Sequence, residues 1–156
     1  MRLTRNALAA IALIGVPALL LATPAQAAKL CKLEISGNDM IQYDKKQLKV
    51  GADCMQVELT LTHTGKLPAA SMGHDWVLVK ADDMTAVASD GLAAGAANDY
   101  VKKDDARVIA HTKVIGGGES ASVTFATSAL KKGQSYKYLC TFPGHNALMS
   151  GDFTIE

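Results

Sequence analysis

The chain has 156 residues, enough for one domain with a full core, and 49% hydrophobic with 20% charged residues excludes a disordered chain. The formal charge is +1; without residues 1–27, which carry Arg2 and Arg5 and no acid, 14 Lys and Arg stand against 15 Asp and Glu. That balance argues against nucleic acid as a partner.

Arg2 and Arg5 precede the apolar run ALAAIALIGVPALLLA, and Ala25, Gln26 and Ala27 supply a small-residue cleavage site. Residues 1–27 are therefore predicted to be a secretory signal peptide, and 28–156 the mature domain. Pro17 interrupts the run and a cleavage-like site follows it, so no membrane span is expected in the mature chain. Leu30 is too bulky for the position before a lipidated cysteine, which argues against acylation at Cys31.

Of three cysteines, Cys31 and Cys54 lie near the mature start and Cys140 stands alone. An oxidising compartment is expected to join the first two, removing unfolded-chain entropy worth about 3 kcal/mol. Cys140 is left as a free thiol that needs protection, which a bound metal would give.

Leu33 and Ile35 alternate with polar residues before the turn residues Gly37, Asn38 and Asp39, and residues 57–63 alternate more strictly. Both segments are predicted to be half-buried antiparallel strands. After a turn over 64–68, residues 76–79 form an apolar β run. The Ala-rich stretch 81–95, with Asp82 or Asp83 as N-cap and Gly95 at its end, is predicted to be one short inserted helix. Strands are predicted at 107–115, 121–125, 136–140 and 152–156, with Gly116 to Gly118 as a break. This pattern predicts an all-β chain, a Greek-key β-sandwich with one short inserted helix.

The last predicted strands flank CTFPGHNALM, in which Cys140, His145 and Met149 are crowded around Pro143 and Gly144. One thiolate is too few for the common structural zinc frameworks. Thiolate, imidazole and thioether are instead part of the blue-copper donor set, which needs a second histidine. His63, His74 and His111 compete for that place. His63 continues the apolar face of Val57, Leu59 and Leu61 and is read as a core histidine, and His111 lies beside polar Thr112 and Lys113. His74 is the strongest candidate, because Gly73 before it permits close backbone approach to a ligand.

The segments MGHDWVL, HTKVIGGGES, SVTF and CTFPGHNALMSG together resemble the azurins, the small blue-copper cupredoxins of bacterial periplasms, over nearly all of residues 29–156. The resemblance implies a cupredoxin-like sandwich holding one type 1 copper through His74, Cys140 and His145, with Met149 and the Gly73 carbonyl as distant axial groups. It also implies the Cys31–Cys54 disulfide, a buried Trp76, and His63 near the metal without ligating it.

The implied function is periplasmic electron transfer by a Cu(II)/Cu(I) couple, with no enzymatic bond chemistry. The implied partners are redox proteins such as c-type cytochromes or copper reductases. They would dock at an apolar patch around His145 drawn from Ile41, Leu67, Met72, Leu92, Phe142, Pro143, Ala147 and Leu148. Asp75 departs from the family, where an asparagine usually ties the two ligand loops. An aspartate accepts hydrogen bonds and, when ionised, donates none; its charge would favour Cu(II), unless it binds main-chain N–H groups or takes up a proton.

A cysteine hydrolase with Cys140 as nucleophile and His145 as base needs no Met149 and has no evident orienting group. A periplasmic copper store or chaperone is the alternative binding function, but Met40, Met55, Met72, Met84 and Met149 are scattered and form no evident exchange surface. A copper enzyme of the nitrite-reductase type needs a second metal site, which the remaining histidines do not offer.

Overall fold

The computed structural model describes residues 29–156. The predicted signal peptide and the mature start at residue 28 lie outside the described residues. Nine strands follow one another as β1 (Leu30–Asn38), β2 (Gln42–Tyr43), β3 (Gln47–Val50), β4 (Gln56–His63), β5 (Val77–Lys80), β6 (Val108–His111), β7 (Ser120–Ala126), β8 (Tyr136–Leu139) and β9 (Ser150–Ile155). A one-turn helix α1 (Ala69–Met72) precedes β5, and the longer α2 (Met84–Ala94) lies between β5 and β6.

The strands form two mixed sheets, ordered β2-β1-β4-β7 and β3-β9-β8-β5-β6. The sandwich with an inserted helix agrees with the sequence expectation. One part of that expectation is corrected: β1 and β4 pair in parallel, Leu30 opposite Gln56 through Gly37 opposite His63. Alternation of side chains is the same in parallel and antiparallel strands, so it carries no information about direction. The antiparallel neighbour of β4 is β7.

Within β4 the period of two is strict. Val57, Leu59, Leu61 and His63 have no exposure, while the alternate residues face outward. Full burial of each aliphatic side chain contributes about 1.5–3 kcal/mol. On the outer face Thr60 and Thr62 exchange hydrogen bonds with Ser122 and Ser120 at 2.8 and 3.0 Å, pinning the β4–β7 register. Between the sheets, Trp76 is surrounded by Phe125, Tyr138 and Phe153 at ring separations of 6.0–6.3 Å.

A second, smaller core explains why β5 is buried on both faces. Val77, Val79 and Leu139 pack outward against Val87 of α2 and Val101. Helix α2 begins at Met84, after a 3-10 turn over Ala81–Asp83, and Asp83 makes no side-chain cap. It ends at Gly95, whose φ of +74° suits glycine. Arg107 clamps the helix by pairing with both Asp90 and Asp105. Cys31 and Cys54 are disulfide-bonded with Cα atoms 5.8 Å apart. Among the described residues no helix is long and apolar enough to cross a membrane.

The strand expected over 107–115 is shorter, ending at His111. Beyond it Ile115 forms an isolated bridge with His74, a contact that places the histidine for the site described next.

Candidate metal centre

Two segments converge at one end of the sandwich. His74 lies between α1 and β5, held by main-chain hydrogen bonds in both directions with Ile115, at 3.0 and 2.8 Å. Gly73 precedes it because nothing larger fits: a β-carbon there would lie 2.6 Å from the Ala69 carbonyl and 2.8 Å from the Phe142 ring. Cys140 follows β8 and opens a loop that closes on itself. The Cys140 N–H donates to the Met149 carbonyl at 2.9 Å, and the Met149 N–H donates to the His145 carbonyl at 2.8 Å. Gly144, at φ +81°, makes the sharp turn before His145.

This folding brings one donor atom each from His74, Cys140 and His145 within 4.8 Å of one another, all three residues buried. The Cys140 sulfur lies 3.7 Å from His145 Nδ1 and 3.9 Å from the Gly73 carbonyl oxygen. Met149 is fully buried. Its methyl and the His74 ring both lie against Gly37, 3.1 and 2.7 Å from where a β-carbon on that glycine would sit. The five residues singled out from the sequence are therefore neighbours.

The other two histidines stay out of the cluster. His63 is stacked on His74, ring centroids 4.3 Å apart at 15°. Its Nε2–H donates to the Met72 carbonyl at 2.9 Å and its Nδ1 accepts from the Gly65 N–H at 3.0 Å, so both ring nitrogens are used. His111 is exposed, and its Nδ1–H donates to the Thr112 carbonyl at 3.0 Å.

His74 Nε2–H donates to the Asn38 carbonyl at 2.9 Å. Its Nδ1 is buried with no hydrogen-bond partner. Since Nε2 carries the proton, Nδ1 presents a bare lone pair in a buried site, an arrangement that costs free energy unless a Lewis acid takes it up. Burial lowers the His74 pKa, and burial followed by the neighbouring His74 pushes His145 down to about 4, so both rings are neutral at physiological pH. Burial and then the Asp75 carboxylate raise the Cys140 thiol well above its ordinary value, against the opposing pull of the Asp75 and Phe142 main-chain N–H groups. The metal-free chain thus holds a thiol, and a bound metal would displace its proton. One thiol and two imidazoles fit copper better than the structural zinc frameworks.

Asp75 resolves the departure noted in the sequence. Its carboxylate accepts from the Thr141 N–H at 2.7 Å and from the Thr141 hydroxyl, tying the His74 segment to the Cys140 loop without an amide donor. Burial raises its pKa to about 6 against the lowering effect of those bonds. Periodicity gave no sign of three further contributors: the Asn38 carbonyl, Gly37, and Tyr43, whose hydroxyl donates to the Asp75 carbonyl. A main-chain carbonyl has no residue-type signature, and Gly37 read only as a turn residue.

Leu148 in the ligand loop, Leu92 beside Phe142 and Pro143, and Leu67 just before α1 are exposed, at 57%, 57% and 42%. Phe142, grouped with them from the sequence, is buried between Tyr100 and His145 at ring separations of 5.3 and 4.7 Å.

The model of the copper binding proteins of the plastocyanin/azurin family matches residues 29–156. Azurin-1 of Alcaligenes xylosoxydans xylosoxydans is 58% identical over 121 residues, covering 78% of this chain and 94% of the relative. The azurin of Pseudomonas aeruginosa is 49% identical over 149 residues, covering 96% and 97%. Among solved structures, the azurin Az-iso2 of Methylomonas sp. strain J superposes with a TM-score of 0.79 at 41% identity, covering 81% of this chain and 98% of that one.

Proposed function

The chain belongs to the plastocyanin/azurin family of copper-binding proteins, and on that premise we propose that it is a periplasmic one-electron carrier of the azurin type. We assign copper to His74, Cys140 and His145, which would hold it, with Met149 and the Gly73 carbonyl as further, weaker groups. The observation that carries this assignment is the buried, unpartnered His74 Nδ1 beside Cys140 and His145.

Copper, when bound, supplies a one-electron Cu(II)/Cu(I) couple. The protein's part is to hold the donors still and dry. Main-chain bonds close the 140–149 loop, Ile115 fixes His74 from both sides, and Asp75 joins the two segments. Donors fixed in this way move little when charge changes, which keeps the barrier to electron transfer low.

His145 retains 3% exposure where His74 and Cys140 have none, so we assign the electron's exit to its imidazole. The exposed Leu67, Leu92 and Leu148 support an apolar docking face there, suited to brief contact with redox proteins such as c-type cytochromes or copper reductases. Export by residues 1–27, leaving the domain from residue 28, is part of the same proposal and supports the periplasm as its location. Protein-film voltammetry of the copper-loaded chain tests the function. We expect one reversible one-electron wave; copper that binds without a reversible wave would mean a store or chaperone instead.

A further inference from the structure

Tyr43 is 4% exposed and sits on β2 directly opposite Gly37. Its hydroxyl donates to the main-chain carbonyl of Asp75. Asp75 lies between His74 and Trp76, and the Asp75–Trp76 peptide is also held from its other side, where the Trp76 N–H donates to the Thr112 hydroxyl oxygen at 3.0 Å. The same residue binds Thr141, next to Cys140, through its carboxylate. Asp75 therefore joins three segments, and Tyr43 is its only anchor from the β1–β2 hairpin among the side-chain bonds found for it in the described residues.

The Tyr43 ring is itself fixed, meeting Tyr138 edge-on at 5.6 Å. Phenylalanine would fill the same volume without the donor, so the fold has no need of the hydroxyl for packing. The bond is local: it ties the β1–β2 hairpin to the Asp75–Trp76 peptide, directly after His74.

We propose that Tyr43 is a positioning residue for the metal centre, its hydroxyl bond to the Asp75 carbonyl holding the His74 segment against the Cys140 loop. This inference rests on the copper assignment above.

The test compares Tyr43→Phe with Tyr138→Phe in the full chain. Tyr138 is the control: it is buried in the same core, and its hydroxyl, beside Gly151 of β9, donates to the Lys45 carbonyl at 2.7 Å rather than to either ligand segment. Both variants lose one hydroxyl bond and should lose similar stability. Only Tyr43→Phe should shift the reduction potential and the copper hyperfine splitting, and it should release copper to a chelator roughly five- to tenfold faster, as the loss of one buried hydrogen bond implies. Two variants with the same potential, splitting and release rate as wild type would overturn the proposal while leaving the copper assignment standing. A wild-type chain that takes up no copper would overturn both. Should Tyr43→Phe not fold, NMR of the wild-type chain gives the answer: on Cu(I) loading the Tyr43 hydroxyl proton should shift while that of Tyr138 stays in place, and equal behaviour of the two overturns the proposal.

Discussion

Gly37 of β1 lies face to face with the ring of His74, so close that a β-carbon on it would come within 2.7 Å of His74 Cδ2. The same β-carbon would meet the Met149 methyl at 3.1 Å. A strand glycine, apparently a mere turn residue, is in fact the space into which two members of the metal cluster fit.

Gly37→Ala is therefore expected to displace the His74 ring or to destabilise the chain by about 1–3 kcal/mol, the usual cost of overpacking a tight core. Urea unfolding of the copper-free variant, together with the visible spectrum of the loaded one, checks this. Unchanged stability and an unchanged spectrum would mean that the wall is softer than its geometry implies.

The disulfide and the metal centre are at opposite ends of β4: Cys54 precedes its first residue and His63, stacked on His74, is its last. Eight residues of strand span about 26 Å. The Cys31→Ser, Cys54→Ser double variant should lose about 3 kcal/mol in urea unfolding. Its colour in the copper-loaded, oxidised form should match wild type.

Leu148 is 57% exposed on the loop that carries His145 and Met149. Leu148→Asp should slow electron exchange with a partner cytochrome about tenfold, equivalent to 1.4 kcal/mol of docking, while the colour is kept. Stopped-flow rates equal to those of wild type would remove this face from the function.

Asp105 is held at about 2, chiefly by its hydrogen bond to Arg107, below the ordinary carboxylate value of 3.8. A carboxylate with a depressed folded-state pKa adds stability above its unfolded pKa and loses it as pH falls through the folded one. Asp105→Asn should therefore be less stable than wild type at pH 7, and the gap should close between about pH 4 and pH 2. Urea unfolding across that window measures it, and a gap independent of pH would rule out the ion pair as its source.

Much of the centre was legible in the sequence because chemistry and local chain order coincide there. Cys140, His145 and Met149 share one loop with Pro143 and Gly144, and Gly73 marks His74 from 66 positions upstream of Cys140. Strand β4 was equally plain, since one side of it is wholly buried. Its pairing with β1 was not, because direction leaves no trace in a period of two. Strands β2 and β3 are two and four residues long, too short for alternation to register among lysines. Tyr43 and Asp75 meet across 32 positions through a main-chain carbonyl, which no residue pattern announces.

The central claim is that copper binds through the Cys140 sulfur between His74 and His145. Titrating the metal-free chain with Cu(II), alongside Cys140→Ser, and following visible absorption tests it most directly. The account predicts an intense blue colour that saturates at about one copper per chain, as a single three-donor cluster requires, and none in Cys140→Ser. A wild-type chain that stays colourless when loaded, or a serine variant as blue as wild type, would contradict it.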